Sequence, residues 1–267
     1  MQLSQIRRHW LLVIEAIAIA YILLAYVVLP ALWTHHEREP GLASLPMVTR
    51  TGTGIPGDAL NVGLVGDKKD VLRAMDAAGW FAADPITLRS SLDIIGSVVL
   101  DRPYHDAPVS HLYYDDKKED LAFEKPDGRS PDRRHHVRLW QVLDKGVNGR
   151  PVWLGAVTFD RGVGLSHDTG QITHHIGPDI DAERALLIRD LRDAGMVQTL
   201  FQISGIGPTL MGRNGGGDPY YTDGEIDFAS LVVDGVRRTE PPDTLPTPPL
   251  IALKDQIWHS VGNVVGP

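Results

Sequence analysis

Two stretches of this chain gather side chains able to bind anions or metals. The first runs Arg133-Arg134-His135-His136-Val137-Arg138-Leu139-Trp140. On a strand, successive side chains point to opposite faces. Val137 and Leu139 then face a core together with His135, while Arg134, His136, Arg138 and Trp140 share the other face. Two guanidiniums around an imidazole make a cationic strip that grips phosphate or carboxylate through paired N–H donors. Trp140 would stack on a sugar or lipid part. The plainer alternative is a strand with one solvated face and a hydrogen-bonded inward histidine.

The second stretch runs Thr173-His174-His175-Ile176-Gly177-Pro178-Asp179-Ile180-Asp181-Ala182-Glu183-Arg184. Adjacent histidines at a strand end point opposite ways, so one is open to a structural role and the other to a functional one. His175 joins Arg134, His136, Arg138 and Trp140 as a ligand-binding candidate. Asp179 stands where a helix N-cap belongs, and Asp181 and Glu183 fall in the first turn, where carboxylates offset the helix dipole. Capping accounts for these three acids without any metal. The competing reading draws a metal site from His135, His136, His174, His175, Asp160 and Asp179, donors that suit zinc or manganese. No pair of histidines at i, i+4 in an HExxH pattern supports it. The chain has no cysteine, which removes thiolate ligands, thiolate nucleophiles and disulfides. Ser166 precedes His167 and Ser110 precedes His111, but neither sits in a nucleophile elbow, so no catalytic residue is assigned.

These side chains need a scaffold, and the patterning predicts one of class α+β. A short apolar run at 61–66 reads as a buried strand, and Asp67 as the N-cap of a helix ending at Gly79. A second helix is expected after Pro85, through Leu88, Leu92, Ile95 and Val98 or Val99. Strands are expected at 109–114, 121–123, 135–142, 152–159 and 171–176, then a helix at 179–194 and closing strands at 197–203 and 226–233. The glycine-rich stretch 205–224 reads as a mobile loop; its three consecutive glycines could form an anion-binding nest, although no strand-to-helix context supports that. Residues 241–249 read as a stiff proline-rich linker, and Ile251, Leu253, Ile257 and Trp258 in the tail as apolar contacts for the domain or a partner.

Residues 10–30 are apolar except for Glu15, long enough to cross a bilayer, with Trp10 and Trp33 at interfacial positions. A cleaved signal peptide would have a shorter apolar region and a small-residue cleavage site. Glu15 lies about one turn inside the end of the run, where it can snorkel to the interface. Arg7 and Arg8 precede the run, which places the N-terminus in the cytoplasm and the rest outside. The expected organisation is a cytoplasmic N-terminus (1–9), a transmembrane anchor (10–33), a linker (34–56), one extramembrane mixed sheet-and-helix domain (57–236), and a proline-rich linker with a short tail (237–267). The net charge of -8 argues against nucleic acid as a partner.

Several strings together resemble the LssY C-terminal domain family. They are the run from Gly54 to Val62 and on to Gly66, Ala77-Ala78-Gly79-Trp80, the stretch Arg134 to Trp140, Trp153-Leu154-Gly155-Ala156 with Phe159-Asp160, the Thr173–Arg184 stretch, and Tyr221-Thr222-Asp223-Gly224. The resemblance covers about residues 54–235. It implies a bacterial membrane protein and an association with envelope lipid or secretion processes. It implies no established activity. Some relatives carry the domain beside DedA-like and phosphatidic-acid-phosphatase-like membrane parts; these 267 residues contain neither, so the lipid-phosphatase chemistry does not carry over.

The expectation is a single-pass inner-membrane protein with a periplasmic domain. It would bind a phosphorylated or anionic envelope lipid or glycan, or a partner membrane protein. The alternative is a metal-assisted hydrolase of a phosphate ester, with His136 and His175 (or His135 and His174) and Asp160 on zinc or manganese. A third reading makes both stretches a buried polar network that specifies the fold.

Overall fold

The computed structural model describes residues 2–32, 36, 38–39, 41–83, 111–128, 133–170 and 172–265. The expected helix after Pro85, residues 109–110 of the expected strand, and Trp33 lie outside them.

The first element is a nearly continuous helix: α1 (Gln2–Leu23), a π-helical turn (Leu24–Val28) and α2 (Leu29–Leu32). Pro30 lacks an N–H and its ring crowds the carbonyl four residues earlier, which gives a physical reason for the widened turn. Arg7–Ala31 spans 25 residues and contains an 18-residue window of mean hydropathy 2.6, none of which is buried. An apolar helix exposed all round has no protein core to bury against, and its length suits a bilayer.

Strands β1 (Val48–Thr51), β2 (Pro56–Ala59), β3 (Val62–Val65), helix α3 (Lys68–Ala77) and β4 (Phe81–Ala82) follow. After them come β5 (Leu112–Tyr114), β6 (Lys117–Lys118), β7 (Leu121–Pro126), β8 (Arg134–Leu143), β9 (Val152–Leu165), β10 (Ile172–Ile176) and helix α4 (Ile180–Asp193). The chain then forms β11 (Val197–Ser204), β12 (Thr209–Arg213), β13 (Pro219–Thr222), β14 (Glu225–Leu231), β15 (Asp243–Thr244) and helix α5 (Pro249–Val265).

Nine strands form the main sheet in the order β15-β11-β14-β3-β9-β8-β7-β4, with β10 also paired to β9. The central strand β3 is buried throughout, because both faces of the sheet are covered. On one face α3 and α4 bury Val71, Met75, Leu187 and Leu191 against Val62, Leu64, Val137, Leu139, Trp153 and Val157. On the other, Trp140, Leu154, Phe201 and Phe228 pack with Leu112 and Tyr114. Those last two belong to a four-stranded antiparallel sheet, β2-β1-β5-β6. The result is three layers, helices over a large sheet over a small sheet.

Three segments differ from expectation. The stretch read as a linker carries β1, a fully buried Leu42 and a buried Glu39 that accepts the Val147 N–H. The stretch read as a mobile loop holds the β12–β13 hairpin. The tail is the helix α5, with Ile251 buried and Lys254 (1% exposed) bonded to the Glu225 carboxylate and to the Asp223 carbonyl. The strand β1 and the β12–β13 hairpin are short segments that lack the periodicity marking long elements, and pairing partners elsewhere in the chain decide them.

Candidate functional site

Strand β8 is paired along both edges, with Glu124 opposite His136 on β7 and Asp160 opposite Arg134 on β9. Its side chains therefore alternate between the two covered faces. His135 goes with Val137 and Leu139 toward the helices. Its Nδ1 lies 2.6 Å from Glu183 Oε2, and its ring packs on Phe159 and Trp80 at 5.1 and 6.3 Å. His135 is the inward, hydrogen-bonded histidine, and it is on the wrong side of the sheet to join a metal with His174.

Arg134, His136, Arg138 and Trp140 share the opposite face, as expected, but that face is covered. His136, Arg138 and Trp140 are 5%, 7% and 0% exposed. The Trp140 indole N–H donates to the Lys117 carbonyl at 3.1 Å and its ring packs against Tyr114, so no surface is left on which a ligand could stack. This corrects the stacking role expected of Trp140.

The two arginines do not form a bare cationic strip. Arg134 Nη1 donates to Glu124 at 3.0 Å and its Nε to Asp160 at 3.3 Å. Arg138 Nη1 lies 3.5 Å from Asp58 Oδ2. Two guanidiniums thus face three carboxylates. Burial, followed by the charges of Arg138 and Arg134 and the neighbouring His174, holds the His136 pKa well below its ordinary 6.5, so the imidazole is neutral at neutral pH. Burial pushes the Asp58 carboxyl up; Arg138 opposes this, and Asp160 adds to it.

Of these groups Asp58, Arg138 and Asp160 line a cavity of about 310 Å³ between the two sheets, whereas Arg134 and His136 are not part of its lining; the size is within the range of small-ligand sites. Arg138, Thr158, Asp160 and His174 come to it from the large sheet, Thr51 and Asp58 from the small one. Asn214, Gly215 and Gly216, in the turn between β12 and β13, close a third side. A Cβ on Gly215 would stand 2.4 Å from Thr51 Cγ2, so only glycine lets the turn approach β1. The turn is no anion nest. Asn214 Oδ1 accepts the N–H groups of Gly216 and Asp218 at 3.0 and 2.9 Å, and the Asn214 carbonyl accepts that of Gly217.

The adjacent histidines of β10 separate. His174 lines the cavity, its Nδ1 3.6 Å from Asp160 and its Nε2 3.4 Å from Arg134. His175 pairs instead with Asp218, Nδ1 to Oδ1 at 2.7 Å. Asp179 caps α4, accepting the Ala182 N–H at 2.9 Å, and so stands apart from the histidines. Asp181 and Glu183 do more than offset a dipole. Glu183 holds His135, and Asp181 accepts from Thr222 and the Asp223 N–H at 2.6 and 2.7 Å. Burial raises the Asp181 pKa to about 6 against the lowering effect of Arg184. The expected metal sets therefore do not converge: His136 and His175 look to different partners, as do His135 and His174.

A family model described as the LssY C-terminus matches residues 42–226. The chain belongs to the LssY C-terminus family. No curated protein and no solved structure matches it. The match begins at the buried Leu42 and ends within β14, so every side of the cavity lies inside the LssY C-terminal domain, whereas α5 lies beyond it.

Sequence reasoning missed Asp58, Asn214, Asp218 and His167 in this domain. Each lies in a short strand or a turn, without a periodic pattern around it. The one visible signal was Asp58 itself, a lone acid against the apolar run that begins at Ala59.

Proposed function

We propose that this LssY C-terminal domain, carried on an N-terminal membrane anchor, binds a hydroxyl-rich ligand of the bacterial envelope in the cavity between its two sheets. The ligand is the sugar part of a glycan or of a lipid headgroup, with or without a phosphate. The observation that carries this reading is the mixed polar lining around the buried Arg138–Asp58 pair. Sugar hydroxyls both donate and accept, which matches a lining of carboxylates, a guanidinium, two imidazoles, an amide and threonine hydroxyls. A bare polyanion is matched less well, since Asp58, Glu124 and Asp160 already offset the two arginines. The phosphoesterase alternative loses support because its ligand sets face different points.

Arg7 and Arg8 before the apolar helix support a cytoplasmic N-terminus and a periplasmic domain on the inner membrane. The natural chain has no cysteine, so a single Val236→Cys substitution, at a site 71% exposed, reports topology cleanly. A membrane-impermeant maleimide is expected to label it in intact spheroplasts. Labelling only after lysis would reverse the orientation.

Ligand binding is tested by saturation-transfer NMR on the full chain in a detergent without a sugar headgroup, using hexoses, N-acetylhexosamines and hexose phosphates. At least one class is expected to bind, and Arg138→Gln to weaken it by roughly tenfold or more, the loss of one charge-assisted bond in a buried site. No binding across the panel, or equal binding by Arg138→Gln, would sink the proposal.

A further inference from the structure

Behind the cavity wall, two imidazoles converge on one buried carboxylate. His175 Nδ1 lies 2.7 Å and His167 Nε2 3.5 Å from the same oxygen, Asp218 Oδ1. The two rings are 5.2 Å apart. Among the described residues this is the group of three whose donor atoms all lie within 4.8 Å of one another. We propose that His167, His175 and Asp218 bind a divalent transition cation, zinc by preference. This site keeps His175 from the expected metal candidates, joins it to His167 and Asp218, which were not among them, and does not depend on the cavity reading.

Several features of the group suit an ion. A tetrahedral zinc with bonds of about 2.0–2.1 Å holds its ligand atoms roughly 3.3 Å apart. The two separations to Asp218 Oδ1 straddle that value, so small side-chain movements complete the set. Asp218 is 1% exposed and is oriented in advance. Its Oδ2 accepts the Ile176 N–H at 3.1 Å, and its own N–H is held by Asn214. Such outer bonds fix a ligand's direction and are typical of built metal sites.

The backbone leaves room for the rings. A Cβ on Gly164 would stand 2.4 Å from His175 Nε2, and one on Gly217, whose φ is +85°, 2.8 Å from His167 Cβ. One histidine is enough to pair a buried aspartate. A second, aimed at the same oxygen, adds a donor that ion pairing alone does not need. His167, with its side chain 59% exposed, gives the ion an entry path and leaves a coordination position for water.

Two of the ligands come from the β9–β10 hairpin, His167 from its turn and His175 from β10, and the third, Asp218, from the β12–β13 turn about forty residues on. An ion there ties the Asn214–Gly216 wall to the large sheet and stabilises the fold by mass action.

The test uses the full chain without a polyhistidine tag, stripped with a chelator and titrated with Zn²⁺ alone and Co²⁺ alone, with no sugar present. One ion per chain is expected, with a visible Co²⁺ absorption band and a rise in Tm. His167→Ala, at an exposed site that the fold tolerates, should weaken binding by at least about tenfold, and so should His175→Ala. His111→Ala should leave it unchanged. Absence of saturable binding below millimolar metal, or unchanged binding in His167→Ala and His175→Ala, would overturn the site and leave Asp218 with an ordinary hydrogen-bonded histidine. Because no sugar is present, neither result bears on the cavity ligand.

Discussion

At the scale of single residues, the domain's character comes from charges placed where water does not reach. Arg184 is 4% exposed and is held by both oxygens of Asp223 at 2.9 and 2.7 Å, by the Glu225 carbonyl at 2.7 Å and by Asp227 at 3.0 Å. Removing one member of a buried ion network strands the others, so Arg184→Ala should destabilise the protein by about 3–5 kcal/mol, measurable as a shift in the urea midpoint. His136 carries a pH dependence. Its folded pKa is held below the ordinary 6.5, so on acidification the unfolded chain takes up a proton that the folded chain refuses. Stability from this group is therefore intact above about pH 6.5 and lost as the pH falls below it. His136→Gln should lose less Tm than the native chain between neutral pH and about pH 5; equal losses would assign the acid sensitivity to another group.

At the scale of elements, close approach rather than propensity decides which residues are allowed. Gly63 sits in the middle of β3, where a Cβ would meet the Phe228 ring of β14 at 2.2 Å. Phe228 in turn stacks on Phe201 at 5.0 Å. Gly63→Ala should cost about 1–3 kcal/mol by overpacking, and adding Phe228→Leu should recover part of it in a double-mutant cycle. Additive losses would mean that the ring is not what excludes a side chain there. The helix α4 follows the same logic from its other end. The Asp179 cap was legible because an N-cap is a local pattern, whereas the partners of Asp181, namely Thr222 at the end of β13 and Asp223 just after it, lie about forty residues on.

At the scale of the whole molecule, the anchor and the domain are separable problems. The apolar window of the helix Arg7–Ala31 is wholly unburied, so the full chain should remain with membranes through an alkaline carbonate wash. A chain lacking residues 1–36 should be released; retention of the truncated form would mean that the domain itself holds the membrane. The anchor, the long strands β8, β9, β11 and β14, the helices α3 and α4 and the alternation along β8 could all be read in advance. They depend on composition and on periods of two and 3.6 residues, which are properties of neighbouring positions. Burial of both faces of β8, the neutralisation of Arg134 and Arg138 by Glu124, Asp160 and Asp58, and the separation of His174 from His175 belong to the tertiary structure alone. So does the meeting of His167, His175 and Asp218. These depend on which distant segments lie against one another, and the small sheet and the β12–β13 turn that cover the site are too short to leave a period in the sequence.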